Sequence, residues 1–132
     1  MKPEDQQAAW TEVRPLYQVK ADMFKGLAHP IRVRLLELLA GTDEVPVTTL
    51  MAETGLEASH LSQHLAVLRR HGLVQSERRA SYVYYRLAFP EVAELLAIAR
   101  RLLTLALQRE QGRLSQSETL PAIGAEGVPT GQ

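Results

Sequence analysis

The sequence predicts a mainly α-helical domain carrying one β-hairpin, an α+β fold, and three observations predict it. Apolar residues recur at helical spacing through most of the chain. The period changes to two only between Leu73 and Leu87. Glycine or proline stands at most points where one pattern gives way to the next. With 132 residues, 45% of them hydrophobic, the chain can close one core but not two ordinary ones. There is no cysteine, which excludes disulfides, thiolate metal sites and thiol redox switches. The opening MKPEDQQAAW is polar and lacks the apolar stretch of a signal peptide, and no run approaches the ~20 apolar residues of a membrane span. The expectation is a cytoplasmic protein with no membrane partner.

The elements follow in order. Residues 1–14 are expected to be a flexible lead-in. Pro15 suits a first helical turn, and Leu16, Val19, Met23, Phe24 and Leu27 continue a helix over about 15–28. His29-Pro30 interrupts it, because a residue before proline is pushed out of the α region. Pro30 opens a second helix with Ile31, Leu35, Leu38 and Leu39 on its apolar face and Gly41 as its stop. After a Thr42–Pro46 loop, Thr48 or Thr49 is expected to cap a short helix that carries Leu50 and Met51 and ends at Gly55. A longer helix runs from about Ala58 to His71 and stops at Gly72. Its Leu61, Leu65 and Leu68 share one side, and Ser59, Gln63 and Arg70 the other. Two helices joined by a tight glycine turn make a helix-turn-helix candidate.

The period-two stretch gives two strands with Arg78-Arg79-Ala80-Ser81 at their turn. Val83, Tyr85 and Leu87 fall on one face, Tyr82, Tyr84 and Arg86 on the other. Pro90 starts a last helix with Glu91 in its first turn and Val92, Leu95, Leu96, Ala99, Leu102, Leu103 and Ala106 down one side. Ile98, Leu105 and Leu107 widen that stripe beyond what one domain needs to cover it. Residues 15–110 are thus expected to form one domain, and 112–132, rich in glycine, proline and small polar residues, a disordered tail. The formal net charge is zero, yet between Glu57 and Arg86 five arginines (69, 70, 78, 79 and 86) stand against Glu57 and Glu77, a local excess of +3.

The order helix, helix, helix-turn-helix, hairpin, helix is that of a winged helix-turn-helix. The segments FKGLAHPIRVRLLELLAG (24–41), VTTLMAETGLEASHLSQHLAVLRRHGLV (47–74) and RRASYVYYRL (78–87) resemble the ArsR/SmtB family of bacterial repressors. The most specific part is the run from Leu61 to Val74, which matches a family-like L-S-x-H-L-x-x-L-R-x-x-G-L-V. The resemblance implies a homodimer built on the first and last helices, here through Leu16, Val19, Met23, Leu95, Leu96, Leu102, Leu103 and Ala106. It also implies a recognition helix in the major groove of double-stranded operator DNA with the hairpin wing beside it, and repression as the outcome. Ala80 departs from the pattern, standing where a glycine is usual and where a side chain resists positive φ.

Ser59, His60, Ser62 and Gln63, at the end of the long helix that enters a groove deepest, are the expected base readers; Gln63 can pair with an adenine edge. Phosphate and wing contacts are expected from Thr48, Thr49, His64, Arg69, Arg70, Arg78, Arg79, Ser81 and Tyr82. For any one arginine the alternative is a pair with Glu77 or another acid. Many family members release DNA on binding metal. Here Val45, Val47 and Thr48 offer no thiolate near the third helix, and no histidine follows His71, so both usual ligand sets are missing. His60 and His64, one turn apart, are the weak candidates, and two ligands need a third and a fourth. The expectation is no cofactor, with low-affinity nickel or zinc as the alternative. His29, at a helix junction, is expected to pack or cap. No phosphate loop, H-E-x-x-H or G-x-S-x-G is present, which leaves an enzyme without support. A winged helix repurposed as a protein-interaction module remains the other alternative.

Overall fold

The computed structural model describes residues 14–119. Along them run α1 (Leu16–Leu27), α2 (Pro30–Ala40), β1 (Val45–Pro46), α3 (Val47–Thr54), α4 (Ala58–Arg70), β2 (Val74–Arg79), β3 (Tyr82–Leu87) and α5 (Pro90–Thr119). His29 caps α2, its Nδ1 accepting the Ile31 N–H at 3.0 Å, so one of the helix's unpaired amides is satisfied by a side chain. Gly72, at φ 73°, ends α4. Its N–H donates to Arg69 O and that of Leu73 to Leu68 O, each at 3.0 Å, the paired bonds of a Schellman stop that requires a left-handed residue.

The sheet has the order β1-β3-β2 and is antiparallel throughout. In register, Val74 faces Leu87 and Arg79 faces Tyr82, which places the turn at Ala80-Ser81. Arg78 and Arg79 therefore belong to β2, and not to the turn as expected from sequence. Ala80 does take the left-handed conformation, at φ 55°, where a side chain crowds the following carbonyl at a cost of about 1–2 kcal/mol. The two-residue strand β1 lies within the expected loop: Val45 pairs with Tyr85 and Pro46 with Tyr84. That pairing holds the backbone extended up to Pro46, so α3 begins at Val47 with no side-chain cap. Thr48 and Thr49, expected as its caps, sit inside the first turn.

The core is formed by Leu35, Leu36 and Leu39 of α2, Leu50 of α3, and Leu61, Leu65 and Leu68 of α4, closed by Val45, Leu73, Val74, Tyr85 and Val92. Each fully buried leucine contributes about 1.5–3 kcal/mol of apolar transfer. Gly26 near the end of α1 lets that helix approach α4 closely; a Cβ there would stand 2.6 Å from the His71 ring. Among the described residues, those up to Glu94 form one compact unit and those from Leu95 to Thr119 a second. The boundary falls inside α5, which continues through Gly112 to Thr119. The expected disordered tail is thereby corrected for 112–119: an internal glycine costs a helix only about 1 kcal/mol, and Arg113 pairs with Glu110 across it. Residues 1–13 and 120–132 lie outside the described residues. Among the described residues no helix is long and apolar enough to cross a membrane.

Candidate nucleic-acid interface

The helical repeat of α4 sorts its side chains. Leu61, Leu65 and Leu68 point into the core, and Ser59, His60, Ser62, Gln63 and Arg70 are exposed. Short or planar hydrogen-bonding groups thus cover the outer face near the helix start, with a guanidinium at its far end. Thr48 and Thr49 are exposed at the start of α3. Between α3, α4 and the wing lies a cleft of about 320 Å³, lined by Thr48, Ser62, Ser81 and Tyr82 around an apolar floor of Val47, Leu65, Val83 and Tyr85. Residues predicted separately from three elements therefore meet in one place. The four hydroxyls offer donors and acceptors to a phosphate-sugar edge.

The five arginines divide by what already holds them. Arg79 is paired with Glu44 and lies 3.9 Å over the Tyr84 ring. The hydrogen bond to Glu44 pushes its pKa above the ordinary arginine value. Arg86 stands 3.6 Å from Glu77 across the hairpin, and Arg69 donates to the Tyr85 hydroxyl at 3.0 Å. Arg70 and Arg78 are exposed, and among the described residues neither forms an ion pair or side-chain hydrogen bond. These two are the arginines ready for phosphate without breaking an internal bond.

His64, expected among the phosphate contacts, turns inward instead. It is half-buried, its ring centroid is 4.4 Å from that of His29, and its Nδ1 is 3.4 Å from Arg32 Nη1. Burial first, then the charges of His29, Arg32 and His60, hold its pKa below the usual imidazole value of 6.5. The helical repeat carried this signal: His64 follows Leu61 by three residues and precedes Leu68 by four, on the flank of the core face. Arg32 is the residue that sequence reasoning missed. It sits in the first turn of α2, where the helix dipole disfavours a cation, and its partners are carbonyls at the end of α1. His60 stays exposed, and among the described residues no group of three or more His, Asp or Glu side chains is arranged to hold a metal ion.

The residues expected to meet a second copy are placed unit by unit. On α1, Leu16 and Val19 are exposed and Met23 is half-buried; in the second unit, Leu95 and Leu96 are half-buried and Leu102, Leu103 and Ala106 exposed.

The sequence model described as "Bacterial regulatory protein, arsR family" matches residues 29–76. An uncharacterised HTH-type transcriptional regulator of Mycobacterium tuberculosis, Rv0081, is 46% identical over 114 residues, covering 86% of this chain and 97% of its own. The chain belongs to the arsR family of bacterial regulators. It is a winged-helix DNA-binding transcriptional regulator and not an enzyme. The Rv0081 crystal structure superposes on this regulator with a TM-score of 0.68 at 47% identity, over 74% of this chain and 97% of that one. The homodimeric winged helix-turn-helix domain Mb0332 of Mycobacterium bovis gives 0.62 at 31% identity, over 79% and 90%. Two further relatives carry opposite signs of regulation: a biofilm growth-associated repressor of Agrobacterium fabrum (41% identical; 58% and 64% covered) and the transcriptional activator HlyU of Vibrio cholerae (37%; 65% and 79%).

Proposed function

We propose that this regulator acts in the cytoplasm as a homodimeric repressor that binds an imperfect palindrome in double-stranded DNA, its half-sites about one helical turn apart. One observation carries the reading: the exposed Ser59, His60, Ser62 and Gln63 on the outer side of α4, together with the uncommitted Arg70 and Arg78 elsewhere on the helix-turn-helix and wing. Side-chain amide and hydroxyls read base edges, and the arginines add affinity that carries no sequence information. The exposed apolar residues of α1 and of α5 give each helix a surface for a second copy, and a two-fold protein matches a palindromic site. Repression is favoured by analogy with relatives such as the biofilm growth-associated repressor of Agrobacterium fabrum. The donor set supports no metal effector.

The test starts from a duplex selected out of a random-sequence pool by the wild-type protein. Gln63→Ala should cost about 1–3 kcal/mol on the selected duplex and far less on random DNA. Equal losses on both would reassign Gln63 to the phosphates. Selection of a single asymmetric half-site would count against the palindrome, and activation of a reporter carrying the site against repression. Zinc or nickel at micromolar free ion should change affinity for the selected duplex less than tenfold. A larger fall would reveal an ion switch.

A further inference from the structure

The reading helix is tied to α1 at two levels, and one of them is polar. Arg32 of α2 donates from Nε to Gly26 O at 2.7 Å and from Nη2 to Lys25 O at 3.3 Å, while Nη1 lies 3.4 Å from His64 Nδ1 on α4. A single guanidinium thereby spans three helices, satisfying carbonyls in the last turn of α1 and meeting the inner flank of α4. Seven residues further on, at the C-cap of α4 and about 10 Å away by the helical rise, His71 packs against Gly26 so closely that no Cβ fits between them. The last turn of α1 therefore meets α4 at two heights.

We propose that Arg32 is a positioning residue for DNA reading: by joining the last turn of α1 to a neutral His64, it sets the attitude of α4 that lets Ser59, His60, Ser62 and Gln63 reach base edges together. The chemistry fixes the state of His64. Arginine has only donors, so Nδ1 must be the acceptor and the proton of the neutral ring must sit on Nε2. Protonation removes the acceptor and adds a cation beside Arg32. The titratable and charged groups that act on His64 are His29 at the α1–α2 junction, Arg32 on α2 and His60 on α4 itself. All are basic, and no carboxylate is among them to compensate a charge. Because the fold holds this imidazole below 6.5, the unfolded chain binds more protons in the window just below that value, and the docked arrangement loses stability as the pH falls through it.

The inference rests on the DNA-reading role of α4 and goes beyond it, because neither Arg32 nor His64 is exposed among the base-reading side chains. It also connects that role to α1, whose Leu16 and Val19 are assigned above to a second copy. A helix that meets the partner chain and also carries the attitude of α4 sets the spacing of two reading helices at once.

The experiment compares wild type, Arg32→Met, Arg32→Lys and His64→Gln on the selected duplex and on a random duplex, with the folded fraction followed by circular dichroism. At pH 7.5, Arg32→Met should lose at least tenfold on the selected duplex and less than threefold on random DNA. A merely structural role would lower both in proportion to the folded protein, and equal losses overturn the proposal. Arg32→Lys, which keeps the charge but not the three-way geometry, should fall between. His64→Gln keeps a neutral acceptor, so it should bind within threefold of wild type at pH 7.5. From pH 7.5 to 5.5 the wild type should weaken at least fivefold relative to it; parallel profiles overturn the proposal. Should the variants fail to fold, the ¹⁵N shifts of the wild-type His64 ring decide alone. A bare Nδ1 at pH 7.5, titrating together with the loss of affinity, supports the pairing, and a protonated Nδ1 at that pH refutes it. Failure to enrich any duplex would instead sink the proposed DNA reading, leaving the ring measurement to judge the Arg32 contact.

Discussion

Leu35, Leu36, Leu39, Leu50, Leu61, Leu65 and Leu68 are at most 2% exposed, whereas Leu102, Leu103, Leu105, Leu107 and Leu114 are between 50% and 68% exposed. The same side chain completes the first unit and is left uncovered in the second. Up to Glu94, three helices converge on one core, and every leucine named there finds partners within the chain. From Ala97 to Gln116 no side chain is buried or even half-buried. Most helical stability in proteins comes from packing an apolar face, and exposed apolar side chains grouped on one element are a feature of interaction sites. The contrast teaches that the first unit carries its own stability, while the second depends on what covers it. On the proposed reading that cover is a second copy, so the order of α5 should depend on protein concentration.

The largest effect is expected from Leu102→Glu combined with Leu103→Glu. Two unpaired carboxylates buried in a dimer interface cost several kcal/mol, so sedimentation at micromolar concentration should show a monomer where wild type gives a dimer. The helical signal should fall by the share of α5 alone. A double variant that stays dimeric would break the comparison, because those leucines would then be exposed for another reason.

A smaller effect sharpens the other side. Leu68→Ala should lower the unfolding free energy by about 2–5 kcal/mol, read from urea denaturation, while folded variant chains still associate as wild type does. A loss below about 1 kcal/mol would mean that the core collapses around the site or that Leu68 is not held as tightly as its burial implies.

The helix-turn-helix was legible because its signal is local. Leu61, Leu65 and Leu68 declare the buried side of α4, Gly72 its end, and a polar outer face follows by subtraction. The hairpin was legible from the alternation around Val83 and Tyr85. What could not be read depends on partners distant in sequence. Val45 and Pro46 are too few to show a period and become a strand only by pairing with Tyr85 and Tyr84; the start of α3 shifts with them. Arg32 bonds to backbone carbonyls of another helix, groups with no side-chain signature. The pairs that withdraw Arg79 to Glu44 and Arg86 to Glu77 need the register of the hairpin before they can be told from Arg70 and Arg78. Gly112 reads as a boundary in the sequence, but its cost of about 1 kcal/mol is easily carried by helix-forming neighbours.

The most direct test of the account is a hydroxyl-radical footprint of the wild-type protein on the selected duplex, with the stoichiometry of the complex measured by native mass spectrometry. The account predicts two chains per duplex and two protected half-sites about one helical turn, roughly 34 Å, apart on one face of the DNA. One chain bound to a single protected half-site would contradict it.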